Sequence, residues 1–226
     1  MCGRFSLTIA PEELQAAFPD FAIPEDIPPS YNIAPSQPIP VIPNDSENKL
    51  DFFLWGLIPS WTKPDKLGKY SLINARSETA AEKPSFKNSF RRRRCLILAD
   101  GFYEWSKPAG GGPKTPYYFT LTDHQPFAFA GLWEIWTSPD GDQIKSACIL
   151  TTSPNEIVKP VHDRMPVILD PGDYQAWLDP EEIKPEDLQG LMKPFPGGCM
   201  DSYPVSPYVN SPKNNSPQCI QPGTLL

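Results

Sequence analysis

Thirty of the 226 residues are proline, and they are scattered along the chain rather than gathered into one tract. Proline carries no backbone N–H and clashes with the preceding helical turn, so it ends helices and is a poor guest in a strand paired on both sides. A chain punctuated this often has no room for long helices. It reads as short elements, many turns and extended connections. With no internal repeat, a chain of this length is read as a single domain spanning 1–226, whose last residues form either an extended strap or a frayed tail.

The apolar runs fit that constraint. Strands are expected at Phe5 to Leu7, Lys49 to Ile58, Cys95 to Ala99, Phe102 to Trp105, Tyr117 to Leu121, Phe127 to Ile135, Ile144 to Thr151 and Val167 to Leu169. Gly110-Gly111-Gly112-Pro113 reads as a hairpin loop. The stretch from Pro24 to Pro43 looks too broken for a long element. Short helices are expected from Pro11 to Phe18, with proline and acids in the first turn, and over Arg76 to Glu82. Ser153-Pro154-Asn155-Glu156 reads as a capping box that starts another, ending near Pro160. Two more are expected after Asp170 and over Pro185 to Met192. The fold class is therefore α+β, with an antiparallel, partly barrel-like β core and short peripheral helices.

Five cysteines without a C-x-x-C, and only two histidines, make a zinc site improbable; no metal and no cofactor are expected. Cys95 and Cys148 sit in apolar runs and read as core. No basic leader and no membrane-length apolar run is visible, so the chain reads as cytoplasmic and reduced, or nucleoid-associated if bacterial, with no membrane partner. Net charge is −7, which by itself argues against nucleic acid. The cations are unevenly placed, however: Arg91-Arg92-Arg93-Arg94 forms a run, and Arg4, Arg76, Lys159 and Arg164 lie beside polar motifs. Local field rather than net charge decides whether a phosphate backbone docks. The arginine run reads equally well as a solvated helix end or loop.

The chain opens Met1-Cys2-Gly3-Arg4-Phe5. A small second residue permits removal of Met1, which would leave a 1,2-aminothiol. Such a group condenses with aldehydes: the amine forms a Schiff base and the thiol closes a thiazolidine. An α-amine has a pKa of roughly 7.7–8.0 against about 10.4 for lysine, so far more of it is neutral and nucleophilic near pH 7. Three further segments place polar groups among apolar anchors: Leu72 to Thr79 around Asn74, Ala99 to Trp105 around Glu104, and Val161 to Pro166 around His162.

These segments resemble the SOS response-associated peptidase family (SRAP domain), the abasic-site processing proteins. The resemblance rests on the Met-Cys-Gly-Arg-Phe start, Tyr31-Asn32 with Ala34-Pro35, Trp55-Gly56 with Pro59 and Trp61, and Asn74-Ala75-Arg76 with Glu78-Thr79. It continues through Gly101-Phe102-Tyr103-Glu104-Trp105, His162-Asp163-Arg164-Met165-Pro166 and Pro204-Val205-Ser206. They follow one another in family order over nearly the whole chain.

The resemblance implies a single-domain α+β fold and covalent capture of abasic sites in single-stranded DNA, with a weak AP lyase activity and self-processing of Met1. Carried over, Cys2 is the nucleophile, Asn74 orients the opened sugar or Cys2, Glu104 handles protons at the amine, and His162 acts as general acid or base. Arg4, Arg76 and Arg164 are the candidate phosphate contacts, and Trp61 the candidate stacking or wedging ring. Each residue also has a plainer reading: Asn74 as a helix cap, Glu104 as a solvent-facing strand residue, His162 as a partner of a helix C-terminus, Trp61 as core. Two other functions stand beside the crosslinker: a cysteine peptidase using Cys2 and His162, and a single-stranded DNA binding module without chemistry.

Overall fold

The computed structural model describes residues 2–45, 47–68, 72–106, 110–182 and 184–223. Its strands are β1 (Phe5–Leu7), β2 (Ser30–Ile33), β3 (Pro38–Pro43), β4 (Asp51–Trp55), β5 (Asn74–Arg76), β6 (Arg94–Ala99), β7 (Gly101–Ser106) and β8 (Thr115–Leu121). There follow β9 (Phe127–Thr137), β10 (Gln143–Thr152), β11 (Met165–Pro166), β12 (Ile168–Leu169) and β13 (Met200–Pro204). The α-helices are α1 (Pro11–Ala17), α2 (Ser77–Ala80), α3 (Lys87–Arg92), α4 (Tyr174–Trp177) and α5 (Pro185–Leu188). None exceeds two turns, as the proline density requires, and proline occupies the first turn of α1 and α5, where its missing N–H is harmless. No described helix is long and apolar enough to cross a membrane.

Two sheets make the α+β core. One runs β13-β8-β7-β1-β2. The other closes on itself, because β10 pairs with both β4 and β9 while β3 and β6 complete the ring. Most pairings are antiparallel; β10 is parallel to β4 and to β5. Phe5 of β1 joins the two sheets, meeting Trp55 edge-on at 5.1 Å and Phe129 at 5.7 Å. This buried anchor fixes the chain start three residues from Cys2.

The proline-rich segment, in which no long element was expected, holds two short strands. β3 carries Pro38, Pro40 and Pro43 and still lies between β4 and β6. It changes neighbours at Val41: residues 38–41 pair with β4 and residues 41–43 with β6. Each proline thus sits where one edge of the strand is open, and no ladder bond is forfeited. The expected helix after Ser153 is instead a run of turns over 156–161. Asn155, not Ser153, caps it: its side-chain oxygen accepts from the N–H groups of Ile157 (3.1 Å) and Val158 (2.9 Å). The expected strand from Val167 to Leu169 is reduced to β12, which pairs with β9, and a second short strand, β11, precedes it and pairs with β10.

Residues 204–223 run as a strap. Asn32, buried under it, donates to the carbonyls of Ser211 (3.0 Å) and Asn214 (2.7 Å), and Gly223 N–H bonds Pro204 O at 2.8 Å. Cys95 and Cys148 are buried as expected. Arg94 overturns the solvated reading for its part of the arginine run. It is fully buried, and its guanidinium is spent on backbone carbonyls of Trp177, Phe90, Arg91, Asp179 and Glu181. Arg91 and Arg92 face Glu182, and Arg93 pairs with Glu134.

Gly101 is required by a close approach. A Cβ there would lie 2.1 Å from the Tyr118 ring, whose hydroxyl is held at 2.9 Å by Ser6 Oγ. Ser6 in turn bonds Asp100 Oδ1 at 2.6 Å, and Thr8 Oγ1 bonds Asp100 Oδ2 at 2.6 Å. Gly101→Ala must push this ring out of a satisfied polar network. The expected cost is about 3 kcal/mol, read as a lowered urea midpoint with an unchanged slope.

Candidate functional site

The four candidate catalytic residues come from both sheets and meet at the seam between them. β1 pairs with β7, with Phe5 opposite Phe102 and Tyr103 N–H on Arg4 O at 2.9 Å. That register carries the chain start along the strand that bears Glu104. From the other sheet, the C-terminal half of β10 pairs with β5 through Ile149 and Asn74, and with β11 through Thr152 and Met165. Those pairings bring Asn74 and the His162 loop to the same end of β10.

Cys2 is completely buried, and Asn74 reaches across the seam to donate from Nδ2 to Cys2 O at 2.7 Å. Asn74 therefore does not cap α2, which has no side-chain cap. Its Oδ1 is buried and accepts no hydrogen bond among the described residues. Glu104 is 3% exposed, so the solvent-facing reading fails. Its Oε2 lies 3.8 Å from His162 Nε2. The imidazole is fixed from its other side, with Nδ1 3.0 Å from the Arg164 N–H, 3.2 Å from Arg164 O and 3.1 Å from Asp163 Oδ1. His162 N–H bonds Val158 O at 2.9 Å, closing the turn that presents the ring.

Burial sets the proton affinities here. Desolvation pushes the Glu104 carboxyl up to about 7, so it exchanges its proton near neutrality. Desolvation, with the Glu104 charge second, holds the Cys2 thiol well above the ordinary thiol range. The thiol at rest is therefore protonated rather than a thiolate. This arrangement can take a proton from an amine, stabilise a cation beside a carboxylate, and offer a buried amide oxygen to a hydroxyl.

The four candidate DNA contacts are dispersed around this centre. Arg4 is turned inward: Nη1 donates to Asn32 Oδ1 (2.6 Å) and Val209 O (2.8 Å), and its carbon end lies 5.7 Å from the Trp105 ring. Arg164 forms a two-pronged ion pair with Glu78, Nη1–Oε1 2.6 Å and Nη2–Oε2 2.9 Å, and bonds Thr151 O and Thr151 Oγ1. Arg76 is exposed beside Asn74. Trp61 is 65% exposed, which excludes the core reading, and lines a cavity of about 420 Å³ with Leu57, Pro59, Leu67, Lys63 and Lys66. Met1 lies outside the described residues. Sequence alone assigned no role to Glu78, named only within its motif, and none to Thr151. Glu78 was legible as an acid inside the Asn74 motif, whereas nothing in the apolar run of β10 marks Thr151.

Residues 1–212 match the family model described as SOS response associated peptidase (SRAP). The abasic site processing protein YoqW of Bacillus subtilis is 47% identical over 98% of this chain and 99% of its own length. The abasic site processing protein HMCES of Rattus norvegicus is 31% identical over the whole chain and 77% of its own length. A crystal structure of a protein from Bacteroides thetaiotaomicron superposes with a TM-score of 0.86 at 26% identity, covering 99% of this chain and all of that one.

Proposed function

The chain belongs to the SOS response associated peptidase family, and from that premise we propose that it processes abasic sites by capturing them covalently in single-stranded DNA. The observation that carries the reading is the meeting of Cys2, Asn74, Glu104 and His162 at one seam. An abasic deoxyribose opens to an aldehyde at C1′. Once Met1 is removed, the Cys2 amine adds to that carbon to give a carbinolamine. Loss of one water yields the Schiff base. The thiol then adds to the same carbon, its proton passing to nitrogen, and a thiazolidine closes. The electron count is unchanged and one water is released.

The residues divide this work by position. Glu104, exchanging a proton near pH 7, takes the proton that the amine must lose before it attacks. His162, 3.8 Å from Glu104, protonates the departing sugar oxygen. Asn74 holds the Cys2 carbonyl and offers its open Oδ1 to the ring-opened hydroxyls. A protonated, buried thiol suits the amine-first order and gives no support to a thiolate peptidase acting in trans. Because a Schiff base acidifies the neighbouring C2′ position, β-elimination remains a minor branch of the same chemistry. Arg76 and Trp61 are the exposed contacts for phosphate and base, and binding is expected to weaken steeply with salt.

The deciding experiment mixes mature protein with a single-stranded oligonucleotide carrying one abasic site. A retarded band that survives heat and detergent is expected, absent when the site is a tetrahydrofuran lacking the aldehyde. A complex seen only on native gels would reduce the protein to a binding module and sink the covalent reading.

A further inference from the structure

The ion pair between Glu78 and Arg164 does something that neither residue's charge alone explains. Glu78 stands in the first turn of α2, directly after β5 with Asn74. Arg164 lies in the loop that carries His162. Its guanidinium takes both carboxylate oxygens of Glu78 and the Thr151 carbonyl, and its side chain is 14% exposed. A bidentate pair of this kind fixes direction as well as distance. The backbone of the same residue supplies the N–H that meets His162 Nδ1 at 3.0 Å. The other groups at Nδ1, Arg164 O and Asp163 Oδ1, also belong to residues 163 and 164. In either protonation state, then, these three groups at Nδ1 move with Arg164.

We propose that Glu78 is a positioning residue: through Arg164 it latches the His162 loop to the β5–α2 segment and so fixes the imidazole relative to Asn74 and Glu104. Glu78 touches neither Cys2 nor the sugar in this assignment. Its effect is transmitted by one side chain and one peptide unit. The latch also commits the Arg164 fork to a protein carboxylate, so that Arg164 shapes the site more than it grips the phosphate backbone. The consequence for rate rests on the aldehyde-capture reading; the latch itself does not.

Two measurements on Glu78→Gln test it. Histidine ring resonances are read first, on free protein. The chain has only two histidines, and exposed His124 serves as the internal reference. The His162 ring signals are expected to shift while those of His124 stay. Adduct formation is then followed at saturating abasic oligonucleotide. The limiting rate is expected to fall about tenfold, as a misplaced catalytic group implies. The apparent Kd should stay level or tighten, since a negative charge has left the surface. Glu78→Asp, which keeps the charge, should recover part of the rate. Unmoved His162 signals, or an unchanged limiting rate in a variant that merely binds more weakly, would overturn the latch. If the wild-type protein itself forms no adduct, the aldehyde-capture reading falls, and the ring signals still decide whether Glu78 holds the loop.

Discussion

Cys2→Ala forms no adduct that survives denaturing electrophoresis, yet its mature N-terminal amine still gives a Schiff base that borohydride traps. The two halves of this expectation separate the two groups of one residue. In the proposed chemistry the amine makes the first bond, and alanine retains it after Met1 is removed. The thiol makes the second, and without it the imine hydrolyses back to aldehyde and amine. The substitution takes out one buried sulfur, at a stability cost of about 1 kcal/mol, so loss of the adduct is not loss of the fold; a thermal melt checks this. A non-cleavable tag ahead of Cys2 removes both products by turning the amine into an amide. A tagged protein that crosslinked normally would refute capture through the amine.

Glu104→Gln is expected to lose activity and gain stability. Handling a proton in the transition state is worth about 10²–10⁴-fold, so adduct formation at pH 7 should slow by roughly a hundredfold. The rising limb of the wild-type pH–rate profile, set by the carboxyl near 7, should disappear with it. The stability effect has the opposite sign. The folded carboxyl is raised above its ordinary value of 4.5 to about 7, so between those two pH values the native state binds more protons than the unfolded chain. Stability then declines as pH rises through that window and levels off above about 7. The uncharged glutamine escapes this loss. At pH 8 the variant should exceed the wild type by up to about 3 kcal/mol, with no such advantage at pH 4. Urea melts at the two pH values measure it. Equal stabilities at pH 8 would mean that the carboxylate is well accommodated, and its role as the proton acceptor at neutral pH would lose its basis.

Such a trade would mark a group retained for chemistry, and the burial behind it was partly legible in the sequence. Glu104 stands between Tyr103 and Trp105, an acid among aromatic rings, and the structure buries it. Asn74 was visible as an amide beside apolar residues, but not its bond to the Cys2 carbonyl, because 72 residues separate the two in sequence. Arg4 and Arg164 carried the same signal as Arg76, a cation beside a motif. Only packing distinguishes the two that are tied to Asn32 and Glu78 from the one left in solvent. Arg94 was least legible: four identical residues in a row gave no sign that the last enters the core.

Local chemistry decided most of what the chain declares by itself. Proline spacing limited the helices to a turn or two, apolar runs marked the longer strands, and a cysteine after Met1 marked the candidate nucleophile. Those features depend on a residue and its near neighbours. Whether β3 could carry three prolines, which arginines face water, and how a thiol, an amide, an acid and an imidazole come to one seam depended on pairings between distant strands. Such pairings are chosen by the packing of whole sheets around Phe5, Trp55 and Phe129, which no short window of sequence contains.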